Sequence, residues 1–196
     1  MKTIELTFTE PLLATTAGDK ELATEFILSK RPEGPAEDEA DALETAEEEI
    51  EKSSTIFMRD EKGRPFLWDY QIKGFFKDAC GMLRRAMPAD KRMKAYKKVI
   101  DGLIFVKPRR IAINTNGGGI MIVERPLRAQ TAQGERVALA RSEAAPPGST
   151  LRFGVTMVDE KLWKAVKDWL NYGELRGLGQ WRNSGMGRFA WQEIKS

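Results

Sequence analysis

Residues 2–9 alternate apolar Ile4, Leu6 and Phe8 with polar neighbours, which is the period of a strand buried on one face. A short helix is predicted near Glu21–Lys30. Large apolar side chains then almost vanish from Arg31 to Glu51, where Pro, Gly, Ala and Glu dominate, so that stretch has too little to bury to order itself. The run STIFMRDEKGRPFLW, residues 54–68, reads as two strands around an Asp60–Gly63 turn. After it, Ile72, Phe75, Phe76, Ala79, Leu83 and Ala86 recur at helical spacing, with Asp69 placed to cap the helix. Cys80 falls within that apolar face and reads as a small buried hydrophobe. Asp90–Lys98 is basic and only weakly amphipathic, and is expected as an exposed helix or loop.

From Leu103 the pattern turns to strands: LIFVKPRRIAI, GGIMIVERP, ERVALARSEA and STLRFGVTMV, separated by turns containing Gly or Pro. Asp159 caps a second helix whose Leu162, Trp163, Val166, Trp169 and Leu170 form one stripe, with Gly173 expected at its C-terminal end. A glycine-rich segment leads to a last strand, FAWQEI. The order of elements is that of a βαββαβ unit with insertions. It implies an α+β fold: a ferredoxin-like, RRM-like core with an antiparallel sheet and two packed helices, extended by a further group of strands at Leu103–Val158. One domain, 1–196, is expected, carrying a flexible acidic insertion at 31–52.

Charge changes the picture. The chain has 32 Lys and Arg against 29 Asp and Glu, but ten of those acids lie between Glu33 and Glu51, which hold no Lys or Arg. The remainder sets 32 basic against 19 acidic residues, a surplus of 13, which suits a polyanionic partner. There is no histidine and a single cysteine, which removes Ser-His-Asp and Cys-His catalysis, histidine-ligated metals, cysteine-rich zinc sites and internal disulfides. No apolar run approaches the ~18 residues of a membrane helix, and a cytoplasmic protein without a membrane is expected.

The segment Arg176-Gly177-Leu178-Gly179-Gln180-Trp181-Arg182-Asn183-Ser184-Gly185-Met186-Gly187-Arg188-Phe189 holds the densest candidate chemistry. Two Gly-x-Gly pairs let backbone amides approach an anion, Arg176, Arg182 and Arg188 add charge, Asn183 adds a polar contact, and Trp181 offers a stacking face. No Gly-Lys-Ser/Thr follows, and the loop precedes the last strand, so it is neither a Walker nor a Rossmann loop. Lys73, Lys77 and Arg84 fall on one stripe of the first helix, expected to run along the same groove, with Tyr70 as a second stacking residue.

Gly177-x-Gly179, five residues, Gly185-x-Gly187, between the second helix and the last strand, resembles the glycine-rich loop of the RAMP superfamily, the repeat-associated proteins of CRISPR systems. Leu67–Lys77 resembles that family's segment opening the first helix, with Trp68-Asp69-Tyr70-Gln71 where the family has Pro-Gly-Ser-Ser. Ser142–Ser149 resembles the Glu-x-apolar-Pro-x-Gly-Ser/Thr turn of backbone subunits of multi-subunit CRISPR effectors. The chain also looks like small proteins of bacteriophages and prophages. The resemblance implies a non-catalytic, cofactor-free protein that binds single-stranded nucleic acid, RNA before DNA, and stacks head to tail. The alternatives are a phage single-stranded DNA-binding or annealing protein, a metal-dependent ribonuclease using Asp19 or Asp69, and a protein-interaction module mimicking a CRISPR subunit.

Overall fold

The computed structural model describes residues 1–18, 54–131 and 134–194. The helix expected near Glu21–Lys30, Asp19 and the acidic segment 31–52 lie outside the described residues. The chain forms two compact units, one of Met1–Leu13, Met58–Ile120 and Ala145–Ser196, the other of Ala14–Phe57 and Met121–Ala144.

The first unit is built on β1 (Lys2–Phe8), which pairs antiparallel with β12 (Phe189–Ile194) on one side and β11 (Thr150–Met157) on the other. The far edge of β11 takes β7 (Ile104–Lys107) and, further along, β8 (Arg110–Asn114), two pieces of one strand interrupted at Pro108, where the ladder loses a donor. With helix α1 (Asp69–Ala86) after β1 and α3 (Leu162–Arg176) after β11, the order β12-β1-β11-β7/β8 is that of a ferredoxin-like βαββαβ sheet. A hairpin of β5 (Met58–Arg59) and β6 (Pro65–Trp68) around the Asp60–Gly63 turn extends the sheet beyond β8.

The alternation read from the sequence explains the core. Ile4, Leu6 and Phe8 on β1, and Leu151, Phe153 and Val155 opposite them on β11, are buried. The helices cover that face with Ile72, Phe75, Phe76, Ala79 and Cys80 from α1 and Val166, Trp169 and Leu170 from α3. Two buried leucines, β2 (Leu12–Leu13), follow the first strand. The Pro146–Ser149 turn feeds β11 as expected: the Ser149 hydroxyl donates to the Pro146 carbonyl at 2.6 Å, and the Gly148 N–H to Phe8 at 2.7 Å.

Four expectations need correcting. Gly173 lies inside α3, where a Cβ would stand 2.3 Å from the Phe189 ring and 2.6 Å from the Phe75 ring; the cap is Gly177, at φ +80°. Asp159 stands two residues before Lys161, the N-cap of α3, and Asp69 is the first residue of α1 rather than its cap. The Trp68 N–H at that end donates to the Gln71 side chain at 2.7 Å. Asp90–Lys98 is exposed helix and loop as expected, a 3₁₀ turn, Ala89–Lys91, and the start of α2 (Tyr96–Leu103), whose one buried residue, Ile100, lies beyond it and which packs on α1 and β7. The strands of Leu103–Val158 are not one extension either. β7, β8 and β11 complete the ferredoxin-like sheet, because their buried alternate positions face α1 and α3, and only the strands between them fall in the second unit.

That second unit is a hairpin of β9 (Met121–Thr131) and β10 (Gly134–Ala145), paired from Met121↔Ala144 to Thr131↔Gly134. At Ser142, β10 also runs parallel to β4 (Thr55–Ile56), which pairs with β3 (Thr16–Ala17). Thr55 donates its hydroxyl to Ser142 at 2.8 Å, and the Phe57 N–H reaches the Glu143 carboxylate at 2.8 Å. No helix among the described residues is long and apolar enough to cross a membrane.

Candidate nucleic-acid interface

The glycine-rich loop leaves α3 at Gly177 and enters β12 at Phe189. All four glycines of its two pairs have positive φ, from +71° to +86°, a region that costs other residues about 1–2 kcal/mol. Their surroundings differ. A Cβ on Gly187 would stand 1.8 Å from the Leu178 carbonyl oxygen, on Gly177 2.3 Å from that of Met186, and on Gly179 2.6 Å from that of Leu13. Around Gly185 nothing comes closer than 3.5 Å. Three glycines therefore let the loop's two arms close on each other and on the segment after β1, and Gly185 alone stands at a roomier position. The amides do not divide in this way: Gly177 donates to Gly173, Leu178 to Gly187, Gly187 to Pro11 and Gly185 to Arg182, all within 3.0 Å.

The arginines tie this loop to α1. Arg182 bonds the Asp78 carboxylate at 2.6 Å, and Arg176 lies 4.0 Å from the same oxygen while donating to the Asn183 side chain. Both guanidinium-bearing side chains are only 25% exposed. Arg188 is exposed and donates through Nε to the Leu175 carbonyl at 2.9 Å. Trp181 starts a 3₁₀ turn, Arg182–Ser184, from a left-handed backbone and is 36% exposed.

Lys73, Lys77 and Arg84 share a stripe of α1, as their spacing requires, but that stripe faces α2. Lys73 donates to the Asp101 carbonyl at 3.1 Å and lies 5.1 Å over the Phe105 ring. Lys77 pairs with the Asp101 carboxylate at 2.6 Å, and the Arg84 guanidinium sits 4.9 Å over Tyr96. Asp78, one residue and about 100° further round the helix, faces the loop instead. The structure thus gathers Arg176, Arg182 and Asn183 at Asp78 and sets Lys73, Lys77 and Arg84 against α2. Asp78 and Asp101, which hold the two groups, were missed in the sequence; the signal for Asp78 was its place as the acid in the interior of α1.

On the face of the sheet away from the helices, β1 and β11 present Thr3, Glu5, Thr7, Arg152 and Thr156. Arg152 donates to the Glu5 carboxylate at 2.6 and 3.0 Å, and the Gln192 amide donates to it at 2.9 Å. The Arg152 hydrogen bond, then that of Gln192, holds the Glu5 carboxyl below its ordinary pKa against an opposing effect of burial. An open cleft of about 810 Å³ beside this network is lined by Thr3, Phe105, Lys107, Arg109 and Arg152. Burial pushes the Cys80 thiol up, the behaviour of a packed side chain rather than a nucleophile. Asp69 accepts the Tyr70 N–H at 2.9 Å and lies 4.0 Å from Arg109. No group of three or more His, Cys, Asp or Glu that could hold a metal occurs among the described residues.

No family model and no curated protein matches the chain. Among solved structures it is similar to a chain described as "Cryo-EM structure of the Type III-B Cmr-beta bound to cognate target RNA", with a TM-score of 0.54 and 14% identity over 99% of this chain. The two share a fold. This chain spans 61% of the length of that one. The likeness agrees with the α+β, ferredoxin-like sheet order described above and covers both compact units.

Proposed function

We propose that this is a non-catalytic protein that binds single-stranded nucleic acid, RNA in preference to DNA, and works as a RAMP-like backbone subunit. The observation that carries the reading is the likeness of nearly the whole chain to a subunit of an assembly whose description names bound target RNA. The surplus of 13 positive charges outside Glu33–Glu51 supplies the attraction. In this reading Gly177, Gly179 and Gly187 shape the loop. Arg188, Arg176, Arg182 and Asn183 contact phosphates around the roomier Gly185, Trp181 or Tyr70 stacks on a base, and Lys73, Lys77 and Arg84 give a second line of charge along α1. Ion pairs to Asp78 and Asp101 leave Arg176, Arg182 and Lys77 with further N–H groups to offer.

A backbone subunit repeats along its ligand through head-to-tail contacts, which do not close and so extend with the strand. Light scattering of the protein mixed with single-stranded RNA of increasing length tests this: particle mass should climb with strand length. A fixed mass at every length would reject the backbone role, and no association with any strand would reject binding itself.

A further inference from the structure

We infer that Tyr70, backed by a Trp68 ring that Arg109 and Arg110 both approach, is the subsite on which one base of the single strand stacks. The inference rests on the nucleic-acid reading above and decides between the two stacking residues it leaves open.

The placement follows from the chain. The two-residue period of β6 sets Phe66 and Trp68 on one face of the strand, and the Trp68 and Phe66 rings meet edge to face, 5.0 Å between centroids. The helix begins at the next residue, and its first turn lays the Tyr70 ring along that of Trp68, 6.1 Å between centroids and 15° from parallel. Strand pairing puts Arg110 of β8 opposite Trp68. Its guanidinium lies 5.7 Å from both the Phe66 and Trp68 rings, and that of Arg109 lies 5.6 Å from Trp68.

Three features distinguish this cluster from core packing. The outermost ring, Tyr70, is 57% exposed, against 36% for Trp181, so its position is not explained by burial. It is already held parallel to a second ring, so a base added to the stack would find an ordered partner and little rotamer entropy to remove. The flanking cations are open to a strand: the Arg109 and Arg110 side chains are 75% and 52% exposed. Their acidic neighbours, Asp69 and Glu61, lie 4.0 and 3.9 Å away, beyond hydrogen-bond range, so a phosphate need break no hydrogen bond to them. A flat aromatic face with two guanidiniums by the ring behind it fits a base and neighbouring phosphates, and reads no base edge, so the subsite is indifferent to sequence.

The test uses a single-stranded RNA oligonucleotide carrying 2-aminopurine, whose fluorescence falls when it stacks, titrated into the full chain and its variants. Wild type should quench the probe. Tyr70→Ala should lose the quench and bind about tenfold more weakly, within the range of one lost base stack. Tyr70→Phe, which keeps the ring, should behave as wild type, and Trp181→Ala should keep the quench. Arg109→Gln should lower the salt slope of binding by about one phosphate contact. Tyr70→Leu, which preserves apolar cover without a π face, guards against an unfolded alanine variant. If it binds and quenches like wild type, the subsite is rejected while nucleic-acid binding stands. If wild type binds no strand at all, the underlying reading fails and the subsite with it.

Discussion

Gly185 and Gly187 share a left-handed backbone, and only Gly187 shares its space with a carbonyl. Gly187→Ala should therefore cost about 3 kcal/mol, from ~1 kcal/mol of backbone strain and up to ~3 kcal/mol of overpacking, whereas Gly185→Ala should cost only about 1 kcal/mol. Urea denaturation of the two variants measures the difference; equal losses would mean that the loop is not closed on itself as described. A second residue-scale expectation concerns Glu5, whose folded pKa is depressed by Arg152 and Gln192. Such a group contributes stability above its unfolded pKa and loses it as pH falls through the folded one. The advantage of wild type over Glu5→Gln should be present at neutral pH, hold above the ordinary value of 4.5, and vanish in more acid solution. Thermal melts of both proteins across that range check the sign, which an advantage growing toward acid would reverse.

Among the elements, α1 carries most of the organisation, since one face meets the sheet, one meets α2 and one meets the loop. Its apolar face was legible because Ile72, Phe75, Phe76 and Ala79 repeat at helical spacing and are buried as that spacing requires. What covers its charged faces was not legible. The α2 helix is preceded by Ala95 in a left-handed conformation, and α2 carries one buried residue, Ile100, too weak a pattern to announce a helix packed on Lys77. Double-mutant cycles separate the two polar contacts. Arg182 with Asp78 is partly buried and hydrogen-bonded, and its coupling should exceed ~0.5 kcal/mol, whereas Lys77 with the more exposed Asp101 should give less. Equal couplings would contradict the docking of the loop on α1. The same limit applies to Leu103–Val158, where the pattern located the strands, with β7 and β8 read as one, but not which of them join the sheet of β1. That choice depends on long-range pairing to β11, which local pattern does not encode.

At the scale of the molecule, the fold class was readable because element order alone restricts how two helices and four strands can pack, and the observed sheet order β12-β1-β11-β7/β8 agrees with it. Glycine spacing located the loop, yet it could not say that three of the four glycines serve close backbone packing, because a turn that approaches its own chain and one that approaches an anion ask for the same residue. The central claim is that the basic body holds a single-stranded polyanion by its phosphates, and the most direct measurement is the salt dependence of binding to a labelled single-stranded RNA. With about four phosphates neutralised, the logarithm of affinity should fall with the logarithm of salt at a slope of about −3, some ~50-fold between about 50 and about 200 mM. Affinity that stays level across that range, or no binding at the lower salt, would contradict it.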